Sequence, residues 1–131
     1  MSLPRLYLWL SALGFIGVGI AFLFWPMPLS LSLGMPLTTP TARVDFAATY
    51  GGFQIGMGLF LLFCAIREEW TRAGVLAATF AFAGFALGRL HGLVFAAGSP
   101  GSTMYWFLAL ELTGAILGFA AARVLRQPAR W

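Results

Sequence analysis

Charged side chains are scarce in this sequence, and lysine is absent. Asp, Glu, Lys and Arg together make up 9% of the 131 residues, and all eight basic residues are arginine. Soluble domains carry about 25% charged residues, so this chain cannot cover a water-facing surface. With 60% hydrophobic residues and a mean hydropathy of +0.88, the chain is expected to be an all-α, polytopic membrane protein. Its arginines do not form one broad stripe, so no nucleic-acid partner is expected.

Motifs typical of soluble enzymes are also missing. The single cysteine, Cys64, cannot form an internal disulfide, and the sequence has no Walker lysine, G-x-S-x-G or C-x-x-C. No catalytic residue is predicted, and the sequence leans against an enzyme without deciding the question. Met27, Met35, Met104 and His91 have side chains that suit Cu(I), but they lack clustered ligand spacing. No metal site is therefore predicted.

Four apolar stretches are each long enough to cross a bilayer, which takes about 20 helical residues. They cover residues 6–25, 46–66, 73–97 and 104–122. They predict a four-transmembrane-helix bundle in a single domain, 1–131. The first stretch also begins like a signal peptide. It exceeds the length of a signal-peptide core, however, and no small-x-small cleavage site follows, so a retained helix is expected.

The connection of residues 26–42 is apolar but carries four prolines, Pro26, Pro28, Pro36 and Pro40. No continuous helix crosses such a segment. We expect it to lie along the membrane surface or over the helix ends, with one short helical turn near Leu29–Leu33.

The arginines indicate the orientation. Four spans place both termini and the loop after the second span on one side. That side holds six arginines, Arg5, Arg67, Arg72, Arg123, Arg126 and Arg130, and ends in a basic tail with Gln127 and Trp131. The other side holds Arg43, so the positive-inside rule predicts cytoplasmic termini in a bacterial inner membrane. The expected aromatic belts are Trp25, Tyr105 and Trp106 outside, and Tyr7, Trp70 and Trp131 inside.

Glycines recur at four-residue spacing on three of the four spans. They are Gly52 and Gly56, then Gly84, Gly88 and Gly92, then Gly114 and Gly118. Such spacing lets helix backbones approach closely, which favours a tight bundle. The alternative is that glycine is simply common in membrane helices.

Arg89 and Glu111 are the two charges placed well inside spans. Both lie roughly 10–12 Å from the outer ends of adjacent antiparallel helices, at about 1.5 Å per residue. Ionisable groups inside a membrane are costly and seek partners, so we predict an Arg89–Glu111 ion pair. That pair either fixes helix register, or forms part of an outward-facing polar pocket, or contacts another subunit.

Further polar residues lie near the same depth. Gln54 falls at the level of the pair, and Tyr50 lies one turn above it on the same face. Asp45 is on a different face at the mouth, and it reaches the site from the helix end or serves elsewhere. His91 lies about 200° around the helix from Arg89, which favours a packing or interface role.

These residues resemble a family of small bacterial four-helix membrane proteins, DUF4345. The resemblance rests on four segments, Arg43–Gly52 with Gln54, Gly56–Leu62, Phe82–Gly92 and Leu110–Leu112. The family is distantly similar to DoxX-like proteins, some of which are associated with quinol oxidation or membrane redox complexes. The resemblance implies a fold and topology but no activity. It also implies that the aspartate, tyrosine, glutamine, arginine and glutamate positions belong together.

Three functional hypotheses follow. The first is an outward-facing pocket that binds a small amphipathic ligand, with quinone or lipid as candidate occupants and no cofactor predicted. Its candidate binding residues are Asp45, Tyr50, Gln54, Arg89 and Glu111. The second is an accessory subunit of a membrane complex, with an architectural ion pair. The third is a proton-coupled transporter working as a homodimer. The expected partners are the lipid bilayer and either a second copy or other membrane subunits.

Overall fold

The computed structural model describes residues 2–125, and every regular element in that range is helical. The α-helices are α1 (Leu3–Phe24), α2 (Pro26–Ser32), α3 (Pro40–Phe46), α4 (Phe53–Ile66), α5 (Thr71–Phe95) and α6 (Ser102–Val124). A π-helical segment, Ala47–Gly52, joins α3 to α4, and a 3₁₀ turn, Glu68–Trp70, precedes α5. The predicted tail residues Arg126, Gln127, Arg130 and Trp131 lie outside the described residues.

Four stretches of helix are long and apolar enough to cross a membrane, namely 3–24, 40–66, 68–95 and 102–124. The predicted all-α fold with four spanning helices is therefore confirmed. The second stretch begins at Pro40, earlier than the predicted start at Phe46. Proline suits the first helical turn, and the Thr39 hydroxyl accepts a hydrogen bond from the N–H of Ala42 at 3.1 Å. The limits of the membrane along these helices stay a prediction.

The proline-rich connection folds as a short helix followed by an extended strap. α2 has seven residues, so it is longer than the single turn expected near Leu29–Leu33. Gly34 then adopts a φ of +70°, a conformation that suits glycine after a helix end. Leu37 is buried with Phe22 and Phe46, so the strap packs onto α1 and α3.

Two close helix pairs, α1 with α4 and α5 with α6, build the molecule. Glycines make the first pair close. A Cβ atom on Gly58 would lie 2.9 Å from the carbonyl oxygen of Ala12, and one on Gly19 would lie 2.9 Å from that of Gly51. Only a residue without a side chain lets the two backbones approach in this way.

The two pairs meet along α1, and α5 also packs against α4, where Gly74 faces Cys64. The rings of Phe15 and Phe82 lie 5.4 Å apart, and Gly114 packs against the Phe82 ring. We call these three residues the Phe15 layer. Nearer the N-terminus, Gly118 packs against the side chains of Thr79 and Tyr7, so α1, α5 and α6 cross there.

The predicted glycine series only partly coincides with these contacts. Gly114 and Gly118 pack as described. The other five members are Gly52, Gly56, Gly84, Gly88 and Gly92. Among residues 2–125, a Cβ atom added to any of them would meet nothing within 4 Å beyond the backbone of its own helix. Among residues 2–125 these five glycines do not make the predicted contacts, because α4 and α5 turn other residues toward their neighbours.

One end of the molecule, the basic end, holds the N-terminus and the α4–α5 loop. Arg5 pairs with Glu68 there at 3.3 Å. The α5–α6 loop forms the opposite end, which we call the hairpin end. Four of the predicted belt residues are exposed, namely Trp25, Trp70, Tyr105 and Trp106. Tyr7 is not a belt residue, because its ring is 6% exposed and points into the bundle toward Thr79.

Candidate functional site

Arg89 and Glu111 lie on the antiparallel pair α5 and α6, toward the hairpin end. Arg89 precedes the last residue of α5, Phe95, by roughly 9 Å, and Glu111 follows the first residue of α6, Ser102, by roughly 14 Å, at 1.5 Å per residue. Helical side chains lean toward the N-terminus of their own helix. In antiparallel helices the two side chains therefore lean toward one another, which closes the difference in level.

The two side chains form a bidentate ion pair. The Nε atom of Arg89 lies 2.9 and 3.1 Å from the two carboxylate oxygens of Glu111, and Nη2 lies 2.6 Å from Oε1. The Glu111 side chain is 8% exposed and that of Arg89 is 23% exposed. The predicted ion pair is present, with the carboxylate enclosed and the guanidinium partly open.

Two more residues of α6 contact the guanidinium. Its Nη1 atom donates to the Met104 sulfur at 3.2 Å, and its Cζ atom lies 5.1 Å from the centre of the Phe107 ring. Met104, Phe107 and Glu111 follow one face of α6 at intervals of three and four residues. The sequence alone could have predicted both neighbours, because Met104 and Phe107 precede Glu111 by seven and four residues, the spacing of one helix face.

Arg89 keeps unused hydrogen-bonding capacity. A guanidinium has five N–H donors. Two point to Glu111 and one to Met104, which leaves two without a partner among residues 2–125. These donors lie on the partly exposed side chain, where an oxygen atom from outside the chain could accept them.

Tyr50 does not join this site. Its ring stacks on Phe46 at 4.7 Å and packs against Phe22 at 5.6 Å, in the apolar cluster that also holds Leu37. Hydrogen bonds between Tyr50 and the ion pair are absent from the described residues. The predicted hydrogen-bonding role of Tyr50 toward Arg89 is therefore not supported by its position.

Gln54 lies at the level of the ion pair, but no hydrogen bond joins it to the pair among residues 2–125. Gly58 and Gly114 both lie near the level of Phe15. Gln54 is four residues from Gly58 toward the hairpin end, and Glu111 is three residues from Gly114 in the same direction. Gln54 is half-buried, yet within residues 2–125 it makes no hydrogen bond to the pair, and α4 does not pack against α6.

Asp45 faces away from the bundle. It is exposed on the outer surface of α3, next to Val44 in a shallow groove that Pro40, Thr41 and Ala48 complete. The structure does not bring it to Arg89. The π-helical segment between Asp45 and Gln54 contributes to this separation, because a π turn holds more residues than an α turn and shifts the faces that α-helical counting predicts.

The remaining candidate ligands are dispersed. His91 is exposed and its ring lies 4.7 Å from that of Phe95, while Cys64 is buried against Gly74. Within the described range, 2–125, no three His, Cys, Asp or Glu side chains come together as a metal site would require.

A second shallow groove lies on the exposed face of α6, largely turned away from Glu111. We call it the α6 groove, and its lining residues are Trp106, Phe107, Ala109, Leu110 and Thr113. Phe107 belongs both to this groove and to the surroundings of the guanidinium. The Thr113 hydroxyl donates to the carbonyl of Ala109 at 2.8 Å, which leaves the lining largely apolar.

The chain was compared with models of known protein families. The model of a family described as Domain of unknown function (DUF4345) matches residues 3–122. No curated protein and no solved structure matches the chain.

Proposed function

We propose a function from the site itself, because this chain belongs to DUF4345, a family described only as a domain of unknown function. The protein binds the head group of a small amphipathic molecule, such as a lipid or a quinone-like compound, at Arg89. The hydrophobic part of that molecule stays in the bilayer.

The single observation that supports binding is the partly open guanidinium inside a candidate span. Arg89 stays charged in proteins, and two of its N–H groups have no partner among the described residues. Unpaired donors in an apolar setting are costly, so an oxygen supplied from outside the chain would be stabilised there.

The other candidate residues have unequal support. Gln54 lies at the level of the pair and would contact a ligand that extends toward α4. Tyr50 and Asp45 belong to the proposed pocket only if the outer parts of the helices rearrange, because Tyr50 packs in an aromatic cluster and Asp45 is exposed.

We further propose the inner membrane of a bacterium as the location, with both termini cytoplasmic. The basic end carries Arg5, Arg67, Arg72 and Arg123, and such clusters favour the cytoplasmic side. The hairpin end, and with it the Arg89 site, would then face outward. A distant relationship to DoxX-like proteins is part of the same proposal.

Ligand binding is tested by mass spectrometry of molecules that purify with the protein. Wild type is expected to carry an amphipathic molecule in near-stoichiometric amount, and Arg89→Ala/Glu111→Ala is expected to lose it. The double variant removes both charges, so no carboxylate is left unpaired. Arg72→Gln, at an exposed position, serves as the control. Equal ligand content in wild type and double variant would contradict the proposal.

A second candidate function is that of a subunit in a membrane complex or homodimer. It is favoured by the glycines that face away from the helix bundle. Gly56 and Gly84 each lie two residues from the Phe15 level, and Gly52 and Gly88 each lie six residues from it. A helix from a second protein could approach either face closely. Replacing Gly84 and Gly88 by Ile should then reduce the oligomer fraction measured by light scattering, whereas Leu87→Ile should not.

The transporter hypothesis has less support. The Phe15 layer separates the ion pair from the hydroxyl groups of Tyr7 and Thr79 near the basic end. A proton path through one chain would have to cross these rings, so a homodimer would be required to build it.

A further inference from the structure

We infer that the head group bound at Arg89 is uncharged and presents a carbonyl oxygen, and that its hydrocarbon tail lies in the α6 groove. This inference rests on the proposed binding function and names the chemical class of its ligand. It combines the charge of the site, its free donors and the shape of the neighbouring surface.

The charge of the site is already balanced. Glu111 binds the guanidinium through both carboxylate oxygens, and its side chain is 8% exposed. An anionic head group would have to displace this carboxylate and leave it enclosed without a partner, or sit beside it and be repelled. Among residues 2–125 the other arginines lie elsewhere, since Arg43 donates to the carbonyl of Leu37 and Arg5, Arg67, Arg72 and Arg123 lie at the basic end. His91 lies about 200° around α5 from Arg89.

The free groups of the site are donors. Two N–H groups of Arg89 remain available, while both oxygens of Glu111 already accept hydrogen bonds. A guanidinium has no acceptor, so the ligand must supply one. A cationic head group would be repelled by Arg89. A neutral oxygen acceptor, of which a carbonyl is the strongest common in amphipathic molecules, satisfies these conditions.

The α6 groove provides a place for the tail. Phe107 contacts the guanidinium and also lines the edge of the groove, so a tail that leaves Arg89 passes the Phe107 ring and turns around α6 to reach the other lining residues. The groove runs along the exposed side of α6 and is mostly apolar. A ligand would therefore enter sideways from the lipid and would not need a channel through the bundle.

The test uses two probes that share one tail and differ only in head-group charge. Methyl dibromostearate carries a neutral ester carbonyl, and dibromostearate carries a carboxylate that is ionised at alkaline pH. Bromine atoms quench tryptophan fluorescence on contact, and Trp106 lines the groove. Quenching of full-length protein in detergent should give an affinity at least about tenfold higher for the ester, with the signal reduced in Trp106→Phe.

Two variants separate head group from tail. Glu111→Gln leaves Arg89 with an unbalanced charge, so the preference should reverse toward the carboxylate. Ala109→Trp fills the groove and should weaken both probes, whereas Ile116→Trp, at an exposed position of α6 beyond the groove, should change neither. A decyl-substituted benzoquinone as competitor distinguishes the source of the carbonyl, since it displaces the ester only if a ring carbonyl is also accepted.

The possible results test separately the charge of the head group, the position of the tail and the binding function itself. If ester and carboxylate bind equally and Arg89→Ala/Glu111→Ala abolishes both, the inference about charge is overturned and the binding function stands. If Ala109→Trp has no effect, the tail does not lie in the α6 groove. If neither probe nor the quinone binds wild type, the inference and the proposed function both fail.

Discussion

Arg89 and Glu111 bring a charge of each sign into the bundle and no net charge. The carboxylate is the more enclosed member, so its stability depends on the arginine. Removing one member of an enclosed ion pair is more harmful than removing both, because the remaining charge has lost its partner.

Arg89→Ala is expected to lower stability by about 3–5 kcal/mol, and Arg89→Ala/Glu111→Ala by clearly less. Thermal unfolding in detergent, followed by circular dichroism, measures both, with Arg72→Ala as the exposed control. The single variant Glu111→Ala completes the comparison, and a double variant whose loss of stability equals the sum of the losses of Arg89→Ala and Glu111→Ala would show that the charges act independently.

The ion pair could be predicted from the sequence for a simple reason. The chain places few charges inside spans, and the α5–α6 turn fixes the depth of both partners. The position of Tyr50 could not be predicted in this way. A π-helical segment is not visible in the residue pattern, and Tyr50 finds apolar contacts with Phe22 and Phe46 that satisfy its ring without Arg89.

At the scale of helices, close approach depends on a few glycines with backbone neighbours. Gly58 faces the carbonyl oxygen of Ala12, and Gly19 faces that of Gly51. Neither belongs to the four-residue series that the sequence suggested. Nearly every residue of these helices is apolar, so no amphipathic pattern tells which glycine points inward.

Gly58→Ala is expected to destabilise the protein by about 1–3 kcal/mol, because the new methyl group would overlap backbone atoms of α1. Gly56→Ala, two residues away, meets open space and should stabilise by up to about 1 kcal/mol, since alanine favours the helix. Thermal unfolding of the two variants side by side measures the difference. Equal effects would mean that the α1–α4 contact tolerates a wider separation.

At the scale of the whole molecule, the topology of four spans follows from composition and length. The relative placement of the helix pairs does not, since it depends on the Phe15 layer and on the residues that face α1. The Arg5–Glu68 contact does show that the N-terminus and the α4–α5 loop share one end.

Single-cysteine variants test which side that end faces. In a Cys64→Ala background, Ser99→Cys on the α5–α6 loop should react with a membrane-impermeant maleimide added to intact cells. Ser2→Cys should react only after the membrane is permeabilised, because the arginines favour the cytoplasm for the basic end. Labelling of Ser2→Cys in intact cells would reverse the orientation.

The distance between Arg89 and Glu111 along the chain also matters during synthesis. Arg89 leaves the ribosome 22 residues before its partner, and an unpaired arginine in a single inserting helix is costly, by about 2.5–3.5 kcal/mol at the helix centre and by less toward the end where Arg89 lies. That cost falls once α6 follows and the carboxylate meets the guanidinium. We therefore expect α5 and α6 to enter the membrane together, as one hairpin, after α1 and α4 have been inserted.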